Sequence, residues 1–568
     1  TPVLRAATDE AGNVIYSDAD AQIPLYNMLL RKNGDYTPPA YSESHGIGRN
    51  WYFETALNYA RRFGKHDVSG LLLYNQSKTY YPNGSYSDIP HGYVGLVGRV
   101  TYNYNYKYMA EFNMGYNGSE NFAPGRRYGF FPAGSVGYVV SEEKFFKPLK
   151  KVVSFMKLRA SWGLVGSDWL GSAYRFYYTA DPYNVNQSAL FNRTGKDGGA
   201  YGYNFGVENG TTKYGAVEAS KHNPDVTWER AFKQDYGIDI NFFKDRLTAT
   251  ADLYHEHRKD IFVSDNTVPV YIGFTAPLAN LGVAHSWGWE LSLGWNDKIG
   301  DNFRYWTKFN LSYNQNEVLE MKETPMNNDY QYAKGHRIGA RSMYKFWRYY
   351  YEGAEADYEK EFGTPFPKQI VNSLKPGDAV YVDLDKNGYI DQNDMSRDYG
   401  YTDDPQYIAG LNLGFQYKGL SLSAQFTAAW NVSRMISDVF RQPFYRSSSN
   451  NDGGLLQYHV DNTWTAENPS QSAEYPRATW ENASQNYATS TLYEKDAKYL
   501  RLKTLQVAYD FKFPWMHTFG LDQLQLALSG YNLFTVTPYK WGDPETRASA
   551  SPSYPLQRTY TISLKVGF

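Results

Sequence analysis

The sequence predicts an all-β fold, a transmembrane antiparallel β-barrel wall of about 17 strands. Three observations carry that prediction. The first is strict two-residue alternation. At the end of the chain Tyr560, Ile562, Leu564, Val566 and Phe568 share one face, and Thr561, Ser563, Lys565 and Gly567 share the other. This pattern marks a strand with one apolar and one polar face. The second is composition: 17% of the 568 residues are aromatic, yet mean hydropathy is -0.61. No run of ~18 apolar residues exists to make a membrane helix. A membrane barrel shows lipid only alternate residues and carries aromatic girdles, which accounts for both values. The third is that connections alternate between short and long, as periplasmic turns and external loops do. Two packed soluble sheets would also alternate, so a soluble glycan-binding β protein is a competing reading. Strands longer than ~10 residues favour the tilted membrane span.

Charge and cysteine content narrow the partners. The formal net charge of -2 argues against nucleic acid, which needs a basic surface. The chain has no Cys, which is compatible with an outer-membrane protein but not diagnostic. It shows no signal peptide and opens on Thr1, so a processed chain or a fragment is expected.

Residues 1–50 read as irregular and are rich in turn formers such as Gly12-Asn13, Asn33-Gly34-Asp35 and Pro38-Pro39. Alternation then begins. Trp51, Phe53, Leu57, Tyr59 and Phe63 share a face, and a turn at Gly64-Lys65-His66 leads to a strand over 67–80. Strands follow at 92–105, at Glu111 to Tyr116, at 128–140 and around Met156 to Trp162. A polar loop spans 166–226, before strands on either side of Phe243-Lys244-Asp245. The clearest strand sets Trp287, Trp289, Leu291, Leu293 and Trp295 against Gly288, Glu290, Ser292, Gly294 and Asn296; its partner runs from Phe303 to Tyr313. Further strands are expected at 344–354 and 376–383, with a hairpin across Lys418-Gly419. After a loop over 431–497, strands at 498–512, 522–534 and 558–568 finish the chain. Charged residues lie on the polar faces, among them Glu54, Arg99, Glu111, Arg159, Asp239, Glu290 and Lys308.

Bacterial single-chain barrels have even strand counts. An odd count leads to the expectation that this chain is not a complete barrel. Residues 1–50 are then expected in an external loop, with the remaining strands coming from another polypeptide. That count requires 355–375 to be an unusually long periplasmic connection.

Several motifs in order resemble a known family. They are Leu57-Asn58-Tyr59 with Phe63-Gly64-Lys65-His66, Gly98-Arg99-Val100-Thr101-Tyr102, and the stretch Asn121-Phe122-Ala123-Pro124-Gly125-Arg126-Arg127-Tyr128-Gly129-Phe130-Phe131-Pro132. Ser141-Glu142-Glu143, Lys157-Leu158-Arg159-Ala160-Ser161-Trp162-Gly163, Asn223-Pro224-Asp225-Val226-Thr227-Trp228-Glu229 and Gly288-Trp289-Glu290-Leu291 continue it. The chain resembles the SusC/RagA-like TonB-dependent outer-membrane transporters of Bacteroidetes over most of 51–568. The resemblance implies a 22-stranded barrel with an N-terminal plug, of which this chain would be the C-terminal portion. No plug or TonB-contacting segment is recognisable. It further implies import of oligosaccharide or peptide nutrients across the outer membrane, driven by TonB, with a SusD-like surface lipoprotein as lid. TonB and the plug would be reached through a second chain or fragment. A passive outer-membrane porin is the alternative within the membrane class.

One motif carries chemistry. Asp383 to Asp394 fits a twelve-residue calcium loop, with Asp383, Asp385, Asn387 and Asp391 at the first, third, fifth and ninth positions. Gly388 falls at the sharp turn, the Tyr389 carbonyl supplies a ligand, and Asp394 takes the twelfth position where Glu is usual. Ca²⁺ in a structural role, ordering an external loop, is therefore expected; a solvated acidic turn is the bland reading. His255 and His257 share a strand face but lack a third ligand. Glu142-Glu143 is a carboxylate pair whose members point apart, which disfavours acid–base catalysis. No nucleophile elbow, P-loop or dinucleotide fingerprint is present, so no enzyme is expected. The aromatic, Asn-rich loops 166–226 and 431–497 could stack on sugar rings or contact a lid protein.

Overall fold

Alternating segments joined by very short turns have one natural partner each, the strand next to them in the chain. The computed structural model describes residues 48–80, 90–170, 222–269, 276–436, 438–445, 454–547 and 555–568, with Tyr178 and short backbone pairings elsewhere. Among these residues fifteen strands form one sheet. In chain order they are β1 (Arg49–Phe63), β2 (His66–Tyr80), β3 (His91–Tyr104), β4 (Tyr108–Ser119), β5 (Tyr128–Val139), β6 (Val153–Ser167), β7 (Glu229–Phe242) and β8 (Leu247–Ser264). They continue as β9 (Leu278–Ile299), β10 (Phe303–Glu320), β11 (Tyr407–Tyr417), β12 (Leu420–Trp430), β13 (Tyr499–Phe511), β14 (Gln523–Val536) and β15 (Thr559–Gly567). Each strand pairs with its chain neighbours, so the sheet is an up-and-down meander with β1 and β15 at its edges.

The turns on one side are tight for a local reason. Between β11 and β12 only Lys418 and Gly419 intervene, at φ 46° and 92°. Two consecutive positive φ values match the twist of the flanking strands, and glycine takes the second at no steric cost. The other side carries long excursions: 168–228 between β6 and β7, 321–406 between β10 and β11, and 431–498 between β12 and β13.

The register proves the two-faced character, because directly paired residues share a face. One row runs Val68, Tyr102, Ala110, Val136, Ala160, Tyr236, Leu253, Trp289, Tyr313, Tyr407 and Trp430 across β2 to β12. Every member is apolar or aromatic. The adjacent row, on the opposite face, runs Ser69, Thr101, Glu111, Ser135, Ser161, Asp235, Tyr254, Gly288 and Asn314. Much of the apolar face is exposed, as at Leu57, Phe112, Leu253 and Ile562, which is unlike the inner face of a soluble sandwich. The Trp287–Trp295 segment is half-buried by neighbouring rings on this face and lies in no dry core.

Two expected wall strands lie elsewhere. The expected 344–354 and 376–383 become Phe346–Tyr349 and Ala379–Tyr381, a short antiparallel pair inside the excursion 321–406. Residues 355–375 are therefore not a periplasmic connection, and 354–362 form a helix, α1 (Ala354–Phe362). Among the described residues the wall holds fifteen strands rather than about 17. The alternation there was real, but Tyr349 and Tyr381 turn into a local core rather than toward lipid.

Thr1–Arg49 forms a compact unit of its own and Asn50–Phe568 another. In the first, Pro2–Ala6 pairs with Tyr26–Leu30 and Tyr16–Asp18 with Ile23–Pro24, so it is not irregular throughout. Strands of two to five residues are too short to leave a readable period. Its expected turns at Gly12, Gly34 and Pro38 lie outside the described residues.

Candidate functional site

The polar face offers the first candidate. An open recess of about 640 Å³ runs along it, lined by Asn113, Ser135, Ser161, Lys233, Asp235 and Glu256, among others. Beside it Arg159 on β6 makes ion pairs with Asp235 and Asp239 on β7, at 3.3 and 3.2 Å, and with Asp252 on β8 at 2.6 Å. Gly237 makes the longest of these reaches possible. It is paired with Arg159 on one side and Asp252 on the other, and a Cβ there would collide with the guanidinium and the carboxylate. Arg99 and Glu111 form a further ion pair at 2.7 Å, and Lys233 meets Glu256 at 3.0 Å. Such a wall is wettable and dense in hydrogen-bonding groups, suited to a polar solute or to polypeptide filling a lumen.

Beyond the long-loop edge, the excursions build a second body. Residues from 321–406, 431–498 and 537–547 share one core, including Tyr349, Tyr381, Ile436, Trp464, Tyr475, Tyr493 and Trp541. A core of tyrosines needs partners for its hydroxyls. Tyr349 Oη donates to the Ala473 carbonyl at 2.8 Å, and Tyr381 Oη to the Gln485 carbonyl at 2.6 Å. Asp378, wholly buried, accepts from Asn482 and Asn486 at 2.6 and 2.9 Å and pairs with Arg477. At the rim Arg501, 2% exposed, binds Asp543 at 2.5 Å and also pairs with Glu545.

The acidic loop lies in this second body. The structure brings Asp383, Asp385 and Asp394 together, each offering a carboxylate oxygen within 4.8 Å of the others. Gly388 takes φ 87° at the turn. Asp394 accepts from the Leu384 and Asp391 amides at 2.7 and 2.9 Å, tying the ends of the loop together. Burial pushes the Asp394 carboxyl up to about 6 against three backbone hydrogen bonds that lower it, with a smaller push from the Asp383 charge; burial also pushes Asp385 up. Asn387 is engaged within the loop, its Oδ1 accepting from the Tyr389 amide at 2.8 Å and its Nδ2 donating to Asp385 at 3.0 Å. The Asp391 carboxylate instead caps the short turn after it, accepting from the Asn393 amide at 2.7 Å. The Tyr389 side chain is exposed, and Lys368 bonds the residues on either side of it, its amide donating to the Gly388 carbonyl at 2.9 Å and its carbonyl accepting from the Ile390 amide at 2.8 Å.

Glu142 and Glu143 do face different partners, Lys150 at 2.9 Å and Tyr108 at 2.7 Å. His255 and His257 join no metal-sized cluster among the described residues. Most of the expected aromatic loop 166–226 lies outside the described residues. On 431–497, Phe444 and Trp480 stack at 6.1 Å while exposed. Three features gave no readable signal in the sequence: the Arg159 hub, the spacing role of Gly237 and the buried Asp378. Each depends on partners far away in the chain.

Comparison with known proteins follows the same lines. TonB-dependent receptor P39 of Formosa agariphila is 27% identical over 98% of this chain and 54% of its own length. TonB-dependent receptor SusC of Bacteroides thetaiotaomicron is 23% identical over 94% and 51%. The chain thus spans about half the length of the curated relatives it matches. In fold it is similar to the RagAB peptide importer in its closed-closed state, with a TM-score of 0.67 at 18% identity, over 92% of this chain and 56% of that one. Residues 8–426 match the model described as TonB dependent receptor-like, beta-barrel. The apolar rows therefore face lipid and the long excursions face outward. The chain is an integral outer-membrane protein, and it belongs to the TonB-dependent receptor-like β-barrel family.

Proposed function

We propose that this chain forms much of the wall of a transporter that imports oligosaccharide or peptide nutrients across the outer membrane, driven by TonB. The observation that carries the proposal is the register: a mostly polar row across β2 to β10 backs an unbroken apolar row across β2 to β12. A wall wet on one face and greasy on the other separates a solute path from lipid. The plug, the TonB contact and the remaining strands are supplied by further polypeptide. A SusD-like lipoprotein lid rests on the outward body, where exposed Phe444 and Trp480 give it apolar surface to grip.

The test is uptake by cells expressing the full-length protein. Labelled oligosaccharides and labelled peptides are offered to the wild type, to a strain without TonB, and to a strain without the lid protein. Accumulation of one cargo class that stops when TonB is removed is the expected result. Uptake that continues without TonB would make the protein a passive porin.

A further inference from the structure

The geometry points to a calcium site in the outward body, built by Asp383, Asp385 and Asp394, that locks the excursion 321–406 into its packed form. The three carboxylates converge within 4.8 Å of one another, two of them on buried residues and one half-buried. Convergence alone would not establish a site. The independent observation is Asp383 itself. It is 6% exposed, its Oδ2 accepts from the Gly388 amide at 2.8 Å, and its Oδ1 is buried with no hydrogen-bond donor at all. A carboxylate oxygen removed from water and left without a partner carries a desolvation cost that the fold does not otherwise offset. A cation held between Asp383, Asp385 and Asp394 supplies that missing partner and offsets their mutual repulsion.

The donors select the ion. All are hard oxygens, which suit calcium or magnesium and disfavour softer metals. They come from one short loop and from a residue that closes it, and Asp394 is already committed to backbone amides. Three carboxylates already constrained by one loop fit calcium, which tolerates variable geometry, better than magnesium, which demands a near-ideal octahedron. Asn387 and Asp391 are occupied elsewhere, so the Tyr389 carbonyl and water complete the shell. The mechanical consequence follows from the neighbours. Tyr358 Oη accepts from the Asp383 amide at 3.0 Å, and Tyr330 Oη donates to the Asn393 carbonyl at 2.7 Å. Tyr358 lies on α1, so the ion fastens the loop to the helix and to the excursion's first segment.

The experiment uses the detergent-purified full-length protein, stripped with EDTA and titrated with calcium chloride, with magnesium chloride as the comparison. Asp383→Asn and Asp385→Asn are titrated in parallel, and cleavage within 321–406 by a protease is followed with and without calcium. The wild type should take up calcium saturably in preference to magnesium. Each variant should lose roughly tenfold or more in affinity, and calcium should protect the excursion in the wild type only. Heat-modifiable gel migration reports whether the barrel is intact. If Asp383→Asn fails to fold, the half-buried Asp385→Asn decides. Calcium uptake unchanged in the folded variants, or no preference over magnesium, overturns the assignment.

Discussion

Arg477 reaches the wholly buried Asp378 across 99 positions of sequence, its Nε 2.8 Å from Oδ1. The pair joins 321–406 to 431–498, two excursions that leave the wall at different strands. Arg477→Ala leaves a buried carboxylate without its cation, a change that costs ~3–5 kcal/mol in comparable pairs. The outward body should loosen while the wall holds. Protease should then cut both excursions faster, with heat-modifiable gel migration unchanged.

Leu253, near the middle of β8 and 61% exposed, lies on the apolar row. Leu253→Arg should destabilise the protein by ~2–4 kcal/mol in lipid. The same residue introduced at Ser161, on the polar row, should be tolerated. Denaturant titration in vesicles measures both. Equal losses at the two positions would contradict the assignment of faces.

Gly237→Ala places a methyl group where the Arg159 guanidinium crosses to Asp252. Overpacking of this kind costs ~1–3 kcal/mol. The expected outcome is a destabilised wall, with a double-mutant cycle showing that Arg159 and Asp252 no longer couple.

Glu474 accepts from Tyr458 Oη at 2.5 Å and pairs with Lys540 at 2.9 Å. Burial opposes its charge, but these two partners outweigh it and hold the carboxyl below the ordinary 4.5. The group therefore favours the folded form above about pH 4.5, and that contribution is lost as pH falls through its lowered value. Protease cleavage in 457–475 should rise on acidification below pH 4.5 in the wild type. In Glu474→Gln that rise should be smaller.

Period-two alternation is a local property, because successive side chains of a strand point to opposite faces whatever lies beyond them. It was enough to place Leu247, Ala249, Ala251 and Leu253 on one face and to locate the wall strands, though many run several residues further, as β8 does to Ser264 and β9 from Leu278. Spacing singled out Asp383, Asp385 and Asp394, whose carboxylates converge, together with Asn387, Tyr389 and Asp391, of which Asn387 and Asp391 bond elsewhere in the loop. Alternation does not say which partner a face will meet. Tyr349 and Tyr381 therefore read as wall strands, although their rings are covered by Trp464, Tyr475 and Tyr493 from another excursion. The same limit hid Asp378, whose burial depends on Asn482 and Asn486, and the orphaned Oδ1 of Asp383, whose isolation from water is a product of packing. Sequence by itself determined the faces and the spacing of the acidic loop; burial, and with it the worth of each charge, was decided only when distant segments closed over one another.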